Sequence, residues 1–137
     1  MKNSLCIEWK PLNELGIPIL DEQHRGIVSI INSFNYAIQY GKETELYIST
    51  IFTMVDCYTK LHFATEEDLM RSAGYPGFEN HKKTHLLLLN QSFSTVSRSI
   101  RHNDPFVYLN FLHAWWTAHI NGRDRQYAPL VKSHLGI

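Results

Sequence analysis

Five histidines and two carboxylates recur along this chain at spacings that place them on one face of successive helices. They are His24, the pair His62 and Glu66, the pair His81 and His85, and the pair His119 and Asp124. Imidazole and carboxylate groups are the donors that hold zinc, manganese and iron in proteins. Residues four apart lie one above the other on a helix, so each such pair can reach one metal region. The set is large enough to predict a site for two metal ions.

Each member alone has an ordinary explanation. A single histidine on an apolar helix face is more often a core residue bonded to a carbonyl or hydroxyl group. A lone His–Glu pair four residues apart is most often a local interaction on a solvated face. Seven such groups in one core cannot easily satisfy one another, and each unpartnered buried polar group costs about 1–3 kcal/mol. The metal site is therefore predicted from the whole set. His102, His113 and His134 fall outside the inward-facing stripes.

The last pair has an unusual spacing. His119 and Asp124 are five residues apart, which an ideal α-helix would separate by about 140° around its axis. Gly122 lies between them, and glycine weakens a helix. We therefore predict that the chain bends or loosens near Gly122.

Four helical patterns, separated by breakers, carry these residues. Gly41 ends the first pattern and Gly74-Tyr75-Pro76-Gly77 ends the second, while Asp104-Pro105 reads as the N-cap and first residue of the fourth helix. The patterns cover residues 20–38, 48–69, 78–100 and 108–119. Four helices joined by short loops favour an all-α, antiparallel, up-and-down four-helix bundle.

The length favours one domain over residues 1–137. Within it we expect an extended N-terminal arm at 1–18, a four-helix core at 19–122, and a tail at 125–137 of short or irregular structure.

Composition excludes several classes of partner. Thirteen basic and thirteen acidic side chains cancel, so nothing suggests a nucleic-acid or anionic-membrane surface. No secretory signal is expected at the N-terminus, and no apolar run is long enough to span a bilayer. Cys6 and Cys57 are expected to be reduced thiols, one of them packed in a helix. These features favour a cytoplasmic protein.

The ligand string H…HxxxE…HxxxH…HxxxxD resembles that of the hemerythrin family, in particular its bacterial single-domain members. The surrounding residues match over essentially the whole chain. They are Trp9, Leu20-Asp21-Glu22-Gln23, Phe63, Glu67, Leu69-Met70, Gly74-Tyr75-Pro76, Trp115, Ile120 and Tyr127.

The resemblance implies two iron ions that bind O2 reversibly. Glu66, Asp124 and a solvent-derived oxo or hydroxo group would bridge both irons. One iron would be completed by His81, His85 and His119, and the other would be held by His24 and His62. That division leaves one iron with an open position for O2.

The ligand types favour binding over oxidation. Oxygen-activating di-iron bundles use about four glutamates and two histidines, whereas imidazoles outnumber carboxylates here. We therefore expect an oxygen carrier, store or delivery protein and not an enzyme. The alternatives are an O2 or redox sensing module, a di-iron enzyme that handles peroxide or nitric oxide, and an iron store. Zinc or manganese would also suit these ligands.

Trp116 departs from the family, where leucine commonly follows the tryptophan of the last helix. We expect Trp116 either to alter the O2 pocket or to fill core space. We expect Phe63 and Ile120 either to help exclude water from that pocket or simply to pack in the core. Asp21, Glu22 and Glu67 are expected to be solvated helix charges. Tyr58 and Tyr127 could lie near the centre, but core packing is the preferred interpretation.

Overall fold

A computed structural model describes residues 5–41, 44–120 and 122–137, giving only the backbone at 44–47. Its helices are α1 (Pro18–Tyr40), α2 (Thr44–Ala73), α3 (Phe78–Arg101), α4 (Pro105–Trp115) and α5 (Ala128–Leu135). Each of the first four packs against its neighbours in the chain, and α4 also contacts α1, which closes the bundle. The predicted all-α bundle is confirmed. No described helix has the length and apolar character needed to cross a membrane.

The predicted breakers end and begin the helices. The backbone N–H of Gly41 donates to the carbonyl of Ala37 at 2.7 Å and ends α1. Gly74 has a φ of 70°, a conformation that glycine adopts without steric cost, and it follows the last residue of α2. The Asp104 carboxylate accepts from the backbone N–H of Phe106 at 3.1 Å and caps α4.

Short helical elements occupy part of both ends of the chain. Helix α1 already begins at Pro18, and the arm before it contains a 3₁₀ turn at Pro11–Asn13; residues 1–4 of the predicted arm lie outside the described residues. Of the two kinds of structure expected in the tail, short or irregular, the short helix α5 occupies most of it. Pro129 lies in the first turn of α5, where a helix needs no N–H from that residue. The proline marks a helix start and not a break.

The expectation that one cysteine packs in a helix is wrong. Cys6 and Cys57 are both free thiols and both exposed. Cys57 does lie within α2, but its side chain is on the solvent side.

Two apolar clusters lie on either side of the seven predicted ligands along the helices. The larger cluster includes Ile27, Phe63 and Trp115. The smaller cluster contains Leu20 and Met70, together with residues of the arm and of α5. Within α1 and α2 the predicted ligands lie between a residue of one cluster and a residue of the other, so packing on both sides fixes the position of the ligand turns.

Asp21 fastens the arm to the start of α1. Its carboxylate oxygens accept from the backbone N–H groups of Leu15 at 2.7 Å and Gly16 at 3.1 Å. The side chain is buried, with 6 % of its surface exposed. The prediction that Asp21 is a solvated charge is therefore wrong, because a short carboxylate in the first helical turn lies within reach of the chain that enters the helix.

Replacing Asp21 with alanine should lower the free energy of unfolding by roughly 1–3 kcal/mol, because it leaves backbone donors without a partner in a buried turn. Chemical denaturation followed by circular dichroism measures the loss. Glu22→Ala is the matched control, since Glu22 is exposed and forms a surface ion pair with Arg25, and it should change stability by less than about 0.5 kcal/mol. Equal losses in the two variants would contradict this role.

Candidate metal centre

The seven predicted ligands meet in the middle of the bundle. Helix α1 supplies His24, α2 supplies His62 and Glu66, and α3 supplies His81 and His85, while His119 and Asp124 follow the end of α4. All seven are buried. The three remaining histidines are not part of this cluster.

The ligand atoms form two groups, and within each group they lie within 4.8 Å of one another. One group contains Glu66, His81, His85, His119 and Asp124, and the other contains His24, His62, Glu66 and Asp124. The two carboxylates belong to both groups. Each group therefore offers enough nitrogen and oxygen donors to hold one metal ion, and the carboxylates lie where they can reach both ions.

The distances around Asp124 show this sharing directly. Its Oδ1 atom lies 3.1 Å from Nε2 of His81 and 3.2 Å from Nε2 of His119. Its Oδ2 atom lies 3.4 Å from Nε2 of His24. One oxygen thus faces each group.

Glu66 links the remaining histidines of both groups. Its Oε1 atom lies 3.1 Å from Nε2 of His62 and 3.4 Å from Nε2 of His85. Its other oxygen, Oε2, accepts a hydrogen bond from the hydroxyl of Tyr127. Tyr127 is a core residue, as preferred from the sequence, and it also lies at the centre, because this phenol contacts the carboxylate that the two groups share.

A change of helical winding brings His119 and Asp124 together despite their five-residue spacing. Helix α4 ends at Trp115, the next five residues, Trp116–Ile120, form a π-helix, and Asp124 lies in a 3₁₀ turn at Arg123–Gln126. π-helical turns bond each residue to the one five positions on and often occur at functional sites. The predicted loosening is present, but it begins at Trp116, before Gly122.

Gly122 has a different role from the one predicted. A Cβ atom at this position would lie 2.7 Å from the carbonyl oxygen of Ala118. Glycine is needed here because the backbone approaches itself closely as the chain leaves the π-helix.

Burial keeps three of the histidines neutral. It lowers the pKa of His24 to about 3, with a further lowering from His62. Burial likewise lowers the pKa of His81 to about 4 and that of His119 to about 3. Neutral imidazole is the form that binds metals, so these side chains carry a free lone pair at neutral pH.

The two carboxylates and Tyr127 are electrically coupled. Burial raises the pKa of Asp124 well above its usual range, and the neighbouring charge of Glu66 adds to the rise. Burial also opposes ionisation of Glu66, but His62 and the surrounding hydrogen bonds hold its pKa below the usual range. Burial, with Glu66 beside it, raises the pKa of Tyr127, so the phenol stays protonated and donates to the carboxylate.

Two histidines have fixed outer partners. Nδ1 of His62 lies 2.7 Å from Oε1 of Gln23, and Nδ1 of His85 lies 2.8 Å from Oε2 of Glu67. Such contacts fix the tautomer and the orientation of a ligand ring. The prediction that Glu67 is a solvated charge is wrong. The position of Glu67 directly after Glu66, on the side of α2 that packs against α3, could have indicated its contact with His85.

Apolar and aromatic side chains surround the donors. The ring of Phe63 stacks on that of His85, with centroids 3.7 Å apart and planes 2° apart. The ring of Trp116 meets that of His24 edge to face at 6.2 Å. Ile120 is buried, with 1 % exposed. Phe63 and Trp116 thus contact ligand rings, and Ile120 is buried next to His119 in sequence, whereas Tyr58 packs half-buried against the core with no ring contact to a ligand among the described residues.

The donor set fits a cation. Oε1 of Glu66, Oδ2 of Asp124, Nε2 of His85 and Nε2 of His119 are buried and make no hydrogen bond among the described residues. These atoms lie close to one another but do not have the geometry of hydrogen bonds. Such an arrangement is expected when metal-binding donors point at one shared position. Leaving such atoms unpartnered costs about 1–3 kcal/mol each, and a metal ion in each group removes that cost.

Comparisons with known proteins agree with the geometry. The family model described as hemerythrin HHE cation binding domain matches residues 15–131. A bacteriohemerythrin of Stenotrophomonas maltophilia is 35% identical over 93% of this chain and 82% of its own length, and one of Pseudomonas aeruginosa is 36% identical over the same shares. A hemerythrin of Sipunculus nudus is 30% identical over 82% of each chain. The chain belongs to the hemerythrin family.

Proposed function

We propose that this protein binds O2 reversibly at a di-iron centre and serves as an oxygen carrier, store or delivery protein. Membership of the hemerythrin family, whose proteins hold a di-iron centre and bind O2, supports this function. The observation that carries it is the pair of buried donor groups that share Glu66 and Asp124.

The proposed ligands follow the two groups. His81, His85 and His119 hold one iron, and His24 and His62 hold the other. Glu66 and Asp124 bridge both, together with a solvent-derived oxo or hydroxo group. The placement of one Asp124 oxygen toward each group supports this division. Iron in such a site supplies the reversible electron transfer to O2 on which binding depends.

The surrounding residues favour binding over chemistry on a second substrate. Phe63, Trp116 and Ile120 are buried and exclude water from the donors. Tyr127 holds a proton and directs it at Oε2 of Glu66, which orients this carboxylate. Imidazoles outnumber carboxylates, unlike in the oxygen-activating bundles, which use about four glutamates and two histidines. We propose no catalytic residue, and we place O2 sensing and small-gas enzymology second.

We also propose that residues 1–137 form one hemerythrin-like domain located in the cytoplasm. The two free cysteines support this location, because thiols stay reduced in that compartment.

Anaerobic loading with ferrous iron tests the function. Two irons per chain and a visible absorption band that appears with O2 and disappears when O2 is removed are expected. A band that forms once and decays to a ferric product would favour sensing or enzymatic chemistry. Fewer than two irons, or preferential uptake of zinc or manganese, would contradict the proposed centre.

Replacing Glu67 with alanine should weaken iron binding by about 10–100-fold, the usual effect of losing an outer partner of a ligating histidine. The carboxylate contacts Nδ1 of His85 and sets which nitrogen faces the metal. Competition with a chromophoric chelator measures the affinity. Asp68→Ala is the control, because Asp68 is exposed and pairs with Arg71. Equal affinities in the two variants would count against the role of Glu67.

Trp116→Leu should speed autoxidation of the oxygenated protein about tenfold, or about 1.4 kcal/mol in the barrier. The smaller side chain gives up the contact with His24 and admits water. Stopped-flow mixing gives the O2 release rate, and the decay of the visible band gives autoxidation. Trp115→Leu is the control, because it makes the same substitution one residue earlier, at a ring that contacts Phe63. Unchanged rates in Trp116→Leu would reduce Trp116 to a space-filling residue.

A further inference from the structure

Three aromatic rings lead from a proposed iron ligand to the protein surface. The imidazole of His24 is fully buried, and its centroid lies 6.2 Å from that of the buried Trp116. The ring of Trp116 in turn lies 5.9 Å from the ring of Trp9, which is half-buried. Each ring is in contact with the next.

We propose that Trp9 and Trp116 form an electron relay between the surface and the di-iron centre, a role that rests on the proposed metal site. A one-electron reductant, such as a reduced flavin or iron–sulfur protein, would dock at Trp9, and its electron would tunnel through the two indoles, which are themselves neither oxidised nor reduced. That electron would reduce one ferric ion to ferrous, and a second transfer would restore the other. No covalent bond forms or breaks. The relay returns protein that has autoxidised to the form that binds O2.

The residue types suit this task. Indole is among the side chains most easily oxidised, and electrons tunnel faster through touching π-systems than across aliphatic packing. The buried Nε1 of Trp9 has no hydrogen-bond partner among the described residues. With no acceptor for the indole proton, transfer can proceed without moving a proton. A leucine at position 116 would interrupt the series of rings.

The outer end of the relay is accessible. Trp9 lines an open surface groove of about 650 Å³ together with Ile7, Val28 and Tyr36. Arg25 lies 5.0 Å from the centroid of Trp9, where its charge would disfavour a cation on the ring. Glu14 accepts a hydrogen bond from Arg25 at 2.8 Å, which offsets that charge.

A second series of rings provides an internal comparison. His81 lies 5.5 Å from Tyr127, and Tyr127 lies 6.3 Å from Tyr75, which is half-buried. Oxidation of a phenol at neutral pH requires loss of its proton. The hydrogen bond to Glu66 gives that proton an acceptor, so this series is the competing route to the centre, and Tyr75→Phe would interrupt it.

Flash-quench spectroscopy on the full chain tests the relay. A ruthenium photosensitiser is attached to the exposed Cys6, three residues before Trp9, in a Cys57→Ser background. After a flash, an oxidising quencher takes one electron from the sensitiser, which then takes one from Trp9. The readout is the lifetime of the tryptophan radical, recorded by transient absorption with and without ferrous iron.

Iron is expected to shorten the radical lifetime by an order of magnitude or more. The reason is that a ferrous ion would donate an electron, through Trp116, to the oxidised indole of Trp9. Trp116→Leu should abolish this shortening, whereas Trp115→Leu and Tyr75→Phe should keep it. An iron-independent lifetime in wild-type protein that holds two irons would overturn the relay. So would a shortening that survives Trp116→Leu, or one that is lost in Tyr75→Phe. Protein that takes up no iron would instead refute the proposed function, and the relay with it.

A second variant tests the relay independently, in case Trp116→Leu does not fold. Trp9→Phe lies away from the ligands and should leave iron content and O2 binding unchanged. It should slow anaerobic reduction of the ferric protein by reduced methyl viologen by an order of magnitude. Reduction at the wild-type rate would overturn the proposal.

Discussion

Replacing Glu66 with glutamine is expected to weaken binding of both iron ions by more than about 100-fold, beyond the range seen for outer partners of ligands. The Glu66 carboxylate belongs to both donor groups. The glutamine amide has the same shape as the carboxylate but lacks the negative charge that both cations would share. The iron content measured by elemental analysis after anaerobic loading should fall from two irons per chain to almost none. Far-ultraviolet circular dichroism should still show a helical protein.

Glu67→Gln is the matched control, since it makes the same chemical change one residue later. That variant should still hold two irons at saturating metal, with weaker affinity, because Glu67 contacts the outer nitrogen of His85 and belongs to neither donor group among the described residues. Retention of two irons by Glu66→Gln, or loss of both by Glu67→Gln, would contradict the proposed bridging role of Glu66.

The metal-free protein is expected to lose most of its stability between pH 6.5 and pH 4. Burial lowers the pKa values of His24, His81 and His119 from 6.5 to about 3, 4 and 3. In that window the unfolded chain binds protons that the folded chain excludes, so stability falls as the pH falls. The raised pKa of Asp124 acts in the opposite sense, because the folded chain binds a proton there that the unfolded chain has lost. This proton offsets the one taken up by one of the three histidines. About two net protons correspond to about 3 kcal/mol per pH unit.

Urea denaturation of the metal-free protein at a series of pH values measures this slope. Typical domains have a stability of about 5–15 kcal/mol, so acid unfolding should be complete within a few pH units. Bound iron stabilises only the folded form and should move the transition to lower pH. His134→Gln, which changes an exposed histidine of α5, should leave the profile unchanged. A free energy that stays constant from pH 6.5 to pH 4.5 would refute the expectation.

The sequence predicted the helices and the convergence of the seven side chains because both depend on helical period and on breakers. It did not predict the roles of Asp21, Glu67 and Tyr127. These depend on which polar group of another segment lies opposite, and a single helix pattern carries no information about its neighbours. The π-helix at Trp116–Ile120 was missed for a related reason. No glycine or proline stands within Trp116–Ile120, so the pattern of helix-breaking residues gives no sign of the change in winding.

The centre also joins distant parts of the chain. His24 and Asp124 are 3.4 Å apart in space, yet almost the whole length of the bundle separates them in sequence. A metal held by both closes that long loop, and the other ligands tie α2 and α3 into the same set of contacts. Five of the seven ligands lie within α1, α2 and α3, so release of the ion should require these helices to separate. We therefore expect the rate of metal exchange to follow the opening of the bundle rather than the breaking of single coordination bonds.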